Sequence, residues 1–233
     1  GFKVLFAEER GAAGVIMFND APAVEEDPYP QGPMLNGEII QRGSVLTLAW
    51  TGDPLTPFEP ALPVDGPVQV NRLDPDDVGL HTIPVLPLGY TATSEILSRM
   101  TGEMAPGEWQ GGLPMPYRQT GGDELTVRVR VNQPKALTRA TMVVGTLEGS
   151  DFPDEWMILG AHYDPWGFGA VDPNGGTAML LTLAEALGEL AEEGCRPRRS
   201  ILIAHWDAEE YGVIVSTEWV EEFLEPLTKG AVA

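Results

Sequence analysis

The segment Ser200 to Trp206 constrains this chain most. Ile201, Leu202, Ile203 and Ala204 follow one another with no polar residue between them, so the segment reads as a strand buried on both faces. Thr141 to Leu147 and Trp156 to Ala161 read as two further strands. Between them and Ser200, Gly176 to Glu193 reads as a helix. Met179, Leu180, Leu183, Leu187 and Leu190 recur near helical spacing, Glu185, Glu189, Glu192 and Glu193 fall largely on the other side, and Gly194 supplies a stop. Ser216 to Leu224 reads as a second helix closed by Pro226. Strands and helices in alternation predict an α/β sheet, with ligand chemistry at the carboxyl ends of its strands.

Residues 1–136 have another texture. Short apolar runs at Gly14 to Phe18, Ser44 to Trp50, Ile83 to Leu88 and Leu125 to Val131 are separated by Pro- and Gly-rich punctuation, which predicts an irregular β-rich domain. Thr91 to Met100 reads as one amphipathic helix with Thr93 or Ser94 as its N-cap. The expected division is therefore 1–136 and 137–233. The opening Gly1-Phe2-Lys3-Val4-Leu5 reads as mid-domain and the closing Lys229-Gly230-Ala231-Val232-Ala233 as the entry to a strand, so truncation at both ends is expected. No run of about 18 apolar residues and no signal peptide is present, and neither terminus gives a localisation.

Charge narrows the partners. Fourteen Lys and Arg against 35 Asp and Glu give a net charge of -21, which repels nucleic-acid phosphates and anionic lipid headgroups. Cys195 is the only cysteine, so the chain forms no internal disulfide and no thiolate zinc site; after Gly194 it reads as a small structural residue. Any metal must be held by His, Asp and Glu.

Three groups of such residues fall where an α/β sheet gathers its chemistry. His162 follows a strand, Asp172 lies in the Asp-Pro-Asn-Gly-Gly loop that leads into a helix, and Glu209-Glu210 lie beyond the strand ending at Trp206. Imidazole and carboxylate together suit zinc. Asp164, two residues on, is placed to reach the other imidazole nitrogen and fix its tautomer. A carboxylate such as Asp172 can bridge two ions roughly 3.5 to 4 Å apart. Of the two adjacent glutamates, one can bind metal while the other accepts a proton from water. Taken singly, each has a structural explanation: a hydrogen-bonded His, a turn, a solvated helix start. Together they favour a metal site and leave the reaction class open. His205 reads as a core residue, and His81 lies in a Pro-rich loop.

The motifs Gly160-Ala161-His162-Tyr163-Asp164-Pro165-Trp166, Asp172-Pro173-Asn174-Gly175-Gly176 and Arg196 to Leu202 running into Trp206-Asp207-Ala208-Glu209-Glu210-Tyr211-Gly212 resemble the zinc exopeptidases of the glutamate carboxypeptidase II and transferrin receptor group. The resemblance covers nearly the whole chain. It implies the N-terminal half of a mixed-sheet, aminopeptidase-like zinc exopeptidase domain, preceded by a β-rich protease-associated domain over 1–136. It further implies His162 as ligand of one zinc, Asp172 as the bridge, Glu210 as ligand of the second zinc and Glu209 as general base. Asp172-Pro173 is expected to be cis. A structural calcium maps onto Thr56 and Glu59 through backbone oxygens and onto Glu218 and Glu221 through carboxylates; the last two, three apart on a helix, share a face in any case.

Arg42 and Ser44 map to the substrate pocket, with Ser44 where glutamate-specific members carry Asn. The group's further Asp and His ligands and its helical dimerisation domain have no counterpart here. The resemblance therefore implies a peptide substrate, a homodimeric parent, an extracellular, periplasmic or membrane-anchored setting, and little activity for these 233 residues alone. Carboxypeptidase and aminopeptidase directions both stay open. The alternative is a non-catalytic, transferrin-receptor-like binding protein on the same fold.

Overall fold

Backbone amides and carbonyls must find partners wherever the chain is buried, and in the computed structural model, which describes residues 1–22 and 26–230, they do so within two compact units. The expected strand entry over 229–233 lies partly outside the described residues.

Residues 1–45 and 81–135 make the first unit. Helix α1 (Phe2–Glu9), unforeseen in the sequence, buries Val4 completely. Strand β1 (Val15–Phe18) pairs in parallel with β2 (Val85–Leu88), Val15 opposite Val85 and Phe18 opposite Leu88. Helix α2 (Tyr90–Leu97) follows at once, with extended Gly89 as its N-cap in place of Thr93 or Ser94. Those two hydroxyls bond back into the helix, Thr93 to the Gly89 carbonyl at 3.0 Å and Ser94 to that of Thr91 at 2.7 Å. Among the described residues β1 and β2 are this unit's named strands, so it is less β-rich than expected. Leu125 to Val131 keeps its apolar alternation but joins no ladder, and Val127 and Val131 stay exposed. His81 does have a partner, its Nδ1 lying 2.9 Å from Glu8 Oε2. The Thr82 hydroxyl and N–H, with His81, hold the Glu8 carboxyl down at about 2.

The second unit takes residues from 136 onward together with 46–80, so the division is not a single cut after 136. Its sheet contains β3 (Val143–Leu147), β4 (Phe152–His162) and β5 (Arg199–Trp206); helix α3 (Asn174–Glu192) crosses from β4 to β5. The order is β3-β5-β4, with β5 antiparallel to β3 and parallel to β4, a mixed sheet. Paired on both sides, β5 carries the core residues Leu202, Ile203, Ala204 and His205, whereas Val143 on edge strand β3 is exposed. The apolar run of β5 thus packs as its sequence requires.

Helices α4 (Ile214–Glu222) and α5 (Leu224–Gly230) close the unit. Pro226 lies inside the first turn of α5, where its missing N–H costs nothing, and so does not end the preceding helix. Trp219 of α4 packs between Trp206 and Phe223 at centroid distances of 5.5 and 5.1 Å. The segment 46–80 is tied to α4 by Glu218, whose carboxylate accepts the N–H groups of Asp53 at 2.5 Å and Ala61 at 2.6 Å. Cys195, expected to be structural, is exposed just past α3.

Two outcomes follow from this packing. Leu202→Ala should lower the unfolding free energy by about 3 kcal/mol in denaturant titration, because the central strand cannot collapse around the void; a loss under ~1 kcal/mol would show that β5 is not the core. Glu8 has a depressed carboxyl, so its contribution is present above its unfolded value of 4.5 and lost as pH falls through about 2. Glu8→Gln should therefore lower the calorimetric midpoint at pH 7, with the gap closing toward pH 2; a gap independent of pH contradicts the assignment.

Candidate metal centre

Parallel pairing places His162, the last residue of β4, directly opposite Trp206, the last of β5, so the loops leaving both strands emerge side by side. His162 is held from two directions. The Thr177 hydroxyl, in the first turn of α3, donates to the His162 carbonyl at 2.8 Å, and His162 Nδ1 donates to the Asp164 carbonyl at 3.2 Å. A neutral ring with its proton on Nδ1 would keep that bond and offer Nε2 to a metal. Nε2 lies 2.8 Å from Asp172 Oδ1.

Asp172 reaches this position through a loop folded back on itself. The N–H of Asn174 bonds the Gly169 carbonyl and that of Gly175 the Val171 carbonyl. Gly169 adopts φ +59°, and a Cβ there would stand 2.6 Å from Pro165 and 2.8 Å from Pro173. Only glycine fits. The Asp172-Pro173 bond is cis, as the resemblance implied.

Beyond β5, Asp207 Oδ1 accepts the N–H of Ala208, its Oδ2 accepts that of Thr141, and Ala208 turns the chain in the left-handed region at φ +54°. A non-glycine residue there is sparsely populated and is kept only by its surroundings. Glu209 and Glu210 follow, their N–H groups bonded to Asp164 Oδ1 at 3.0 Å and Oδ2 at 3.2 Å. The Asp164 carboxylate is 3.5 Å from His162 Nδ1, farther than the Asp164 carbonyl at 3.2 Å. Thr177, Asp207 and Ala208 went unseen in the sequence. Asp207 had a signal, an Asx residue closing a strand; the others had none.

One nitrogen of His162 and one oxygen each of Asp172 and Glu210 all lie within 4.8 Å of one another. This donor set fits a divalent cation, and its electrostatics fit one as well. The Glu210 carboxyl is pushed up by burial and by the charges of Asp172 and Glu209. Burial pulls His162 down, but Glu209, the Asp164 carbonyl, Asp172 and the Asp164 charge outweigh it and leave the imidazole raised. A cation here would relieve both. Glu209 approaches the imidazole on its other side, Oε2 at 3.9 Å from Nδ1.

In the second unit Thr56 is buried with its hydroxyl lacking a partner, exposed Glu59 donates its N–H to the Thr56 carbonyl at 3.2 Å, and Glu221 Oε2 is buried without a partner. Burial raises the carboxyls of both Glu218 and Glu221, the former in spite of its two backbone bonds. Arg42, exposed, and Ser44, half-buried, belong to the first unit.

Comparison with known proteins gives the same direction. Residues 142–233 match Peptidase family M28. The whole chain is 38% identical to a glutamate carboxypeptidase 2 homolog of Caenorhabditis briggsae, of which it covers 31%, and 38% identical to aminopeptidase NAALADL1 of Mus musculus, of which it covers 32%. Over 99% of its length it is 35% identical to transferrin receptor protein 2 of Mus musculus, covering 28% of that protein. The chain thus spans about a third of the length of these relatives.

The raised Glu210 carboxyl makes the site a cost without metal. A raised carboxyl favours the folded state below the unfolded value of 4.5 and loses that contribution as pH rises through the folded value. Glu210→Gln should consequently raise the thermal midpoint of the chain in chelator at pH 7, with the gap vanishing in acid, while added zinc should stabilise the wild type and not the variant. A variant melting at or below wild type in chelator would contradict this.

Proposed function

We propose that the protein, whose residues 142–233 match peptidase family M28, hydrolyses terminal peptide bonds with a two-zinc centre to which this chain contributes His162, Asp172 and Glu210. The observation that carries this reading is the convergence of those three side chains at the neighbouring ends of β4 and β5. When bound, zinc supplies Lewis-acid polarisation of the scissile carbonyl and of water. Asp172 is suited to bridging because its carboxylate is mostly exposed beside the imidazole. Glu209 accepts a proton from the attacking water as the carbon–oxygen bond forms, then delivers it to the amine nitrogen as the carbon–nitrogen bond breaks. Its backbone is fixed while its side chain stays about one third exposed and open to substrate.

Further ligands, an Asp and a His, would come from outside these 233 residues, so the chain alone should bind metal weakly and turn over little substrate. The first unit is read as the protease-associated domain, with Arg42 and Ser44 facing substrate. Glu218 and Glu221, with the carbonyls of Thr56 and Glu59, would hold a structural calcium; the partnerless buried Glu221 Oε2 supports this. Similarity to transferrin receptor protein 2 supports a second reading, a binding protein that keeps the fold without catalysis.

Calorimetric titration of zinc into the chain should give binding that His162→Ala or Asp172→Asn weakens about tenfold or more; equal binding by the variants would end the metal assignment. In the full-length protein Glu209→Gln should retain zinc and lose about 10²–10⁴-fold in turnover on a dipeptide panel. Full zinc occupancy with no hydrolysis by wild type would select the receptor reading.

A further inference from the structure

We propose that Asp164 is a positioning residue whose carboxylate aims the Glu209-Glu210 pair by binding their two backbone N–H groups, while its peptide carbonyl meets the His162 imidazole. This deepens the metal-centre reading and takes its meaning from it, but the contacts concern this chain only.

The turn after β5 leaves its first amides unserved. The carbonyls of Ala208 and Glu209 receive the N–H groups of Gly212, Val213 and Ile214, so the amides of Glu209 and Glu210 point away from them, as at the start of a helix. Asp164 supplies one oxygen to each, Oδ1 at 3.0 Å and Oδ2 at 3.2 Å, although it lies 45 and 46 positions away in sequence. Both are charge-assisted bonds, and the side chain is only 12% exposed, so water competes little. They brace the turn just beyond left-handed Ala208, while Asp207 grips Ala208 itself. Two peptide planes pinned by one carboxylate fix the directions in which the two glutamate side chains leave the backbone.

The imidazole is served separately. Nδ1 is within bonding distance of the Asp164 carbonyl at 3.2 Å, whereas Oδ1, already bonded to the Glu209 amide, stands off at 3.5 Å. One residue thereby sets the two halves of the site by two chemically distinct groups, and only one of those groups can be removed by substitution.

The test is nuclear magnetic resonance on the isotope-labelled, metal-free chain at fixed neutral pH, following the Glu209 and Glu210 amides. In Asp164→Asn one acceptor becomes an NH2 group, so at least one of the two amides should lose protection from exchange by about tenfold or more, the size of one charge-assisted bond. Leu202 and Ala204 amides should not move, which separates this from general loosening. Unchanged protection of both amides overturns the proposal. If the variant does not fold, the wild type decides: both amides must exchange at least about tenfold slower than in an unfolded chain, and free exchange overturns the proposal. Absence of zinc from the full-length protein would sink the peptidase reading and leave these amide results standing.

Discussion

The parallel contact between β4 and β5 is the constraint on which the site depends. It brings residues 162 and 206 into register, and it makes two loops that are far apart in sequence leave the sheet at one edge. Everything chemical is then local: an imidazole on one loop, two acids on the other, and Asp172 returned to the imidazole by the bent connection into α3. A sheet of this kind gathers ligands at strand ends because the strands stop there together, and the loops beyond them are free to vary.

The centre is held by backbone groups more than by side-chain pairs. Thr177 grips a carbonyl, Asp164 grips two amides and lends a carbonyl, and Asp207 caps the residue that turns the chain. Such bonds leave the reactive atoms of His162, Asp172, Glu209 and Glu210 turned toward one another. Without a cation that arrangement is repulsive, which is why burial and neighbouring charge push Glu210 upward.

Much of this was legible in the sequence. The unbroken apolar run Ile201 to Ala204 announced a central strand that is buried, and helical spacing from Met179 to Leu190 announced α3, although of that apolar face Leu180 is buried while Met179, Leu183 and Leu190 stay exposed. Convergence of His162, Asp172 and the Glu209-Glu210 pair could be inferred from two strand ends and a helix start, and the resemblance singled out Glu210 as the ligand. What escaped notice depended on distant partners. Thr93 and Ser94 looked like caps but bonded backward within α2. Leu125 to Val131 has a strand's alternation, yet no neighbour pairs with it. Asp164 seemed aimed at the imidazole, two residues away, when its carboxylate bonds amides 45 and 46 positions distant. Local pattern shows what a residue can do; only the fold shows which partner reaches it first.

The path of the chain has a consequence for how its parts can be separated. It passes between the two units at 45/46, at 80/81 and at 135/136. A protease that nicks any one of these junctions leaves both units joined through the remaining two. Pieces trimmed to begin at residue 136 would also strip the Glu218 carboxylate of the two amides it accepts, leaving a half-buried acid without its bonds. The unit that carries the candidate metal ligands is therefore assembled from two stretches of sequence, and the shorter one cannot be discarded as a linker.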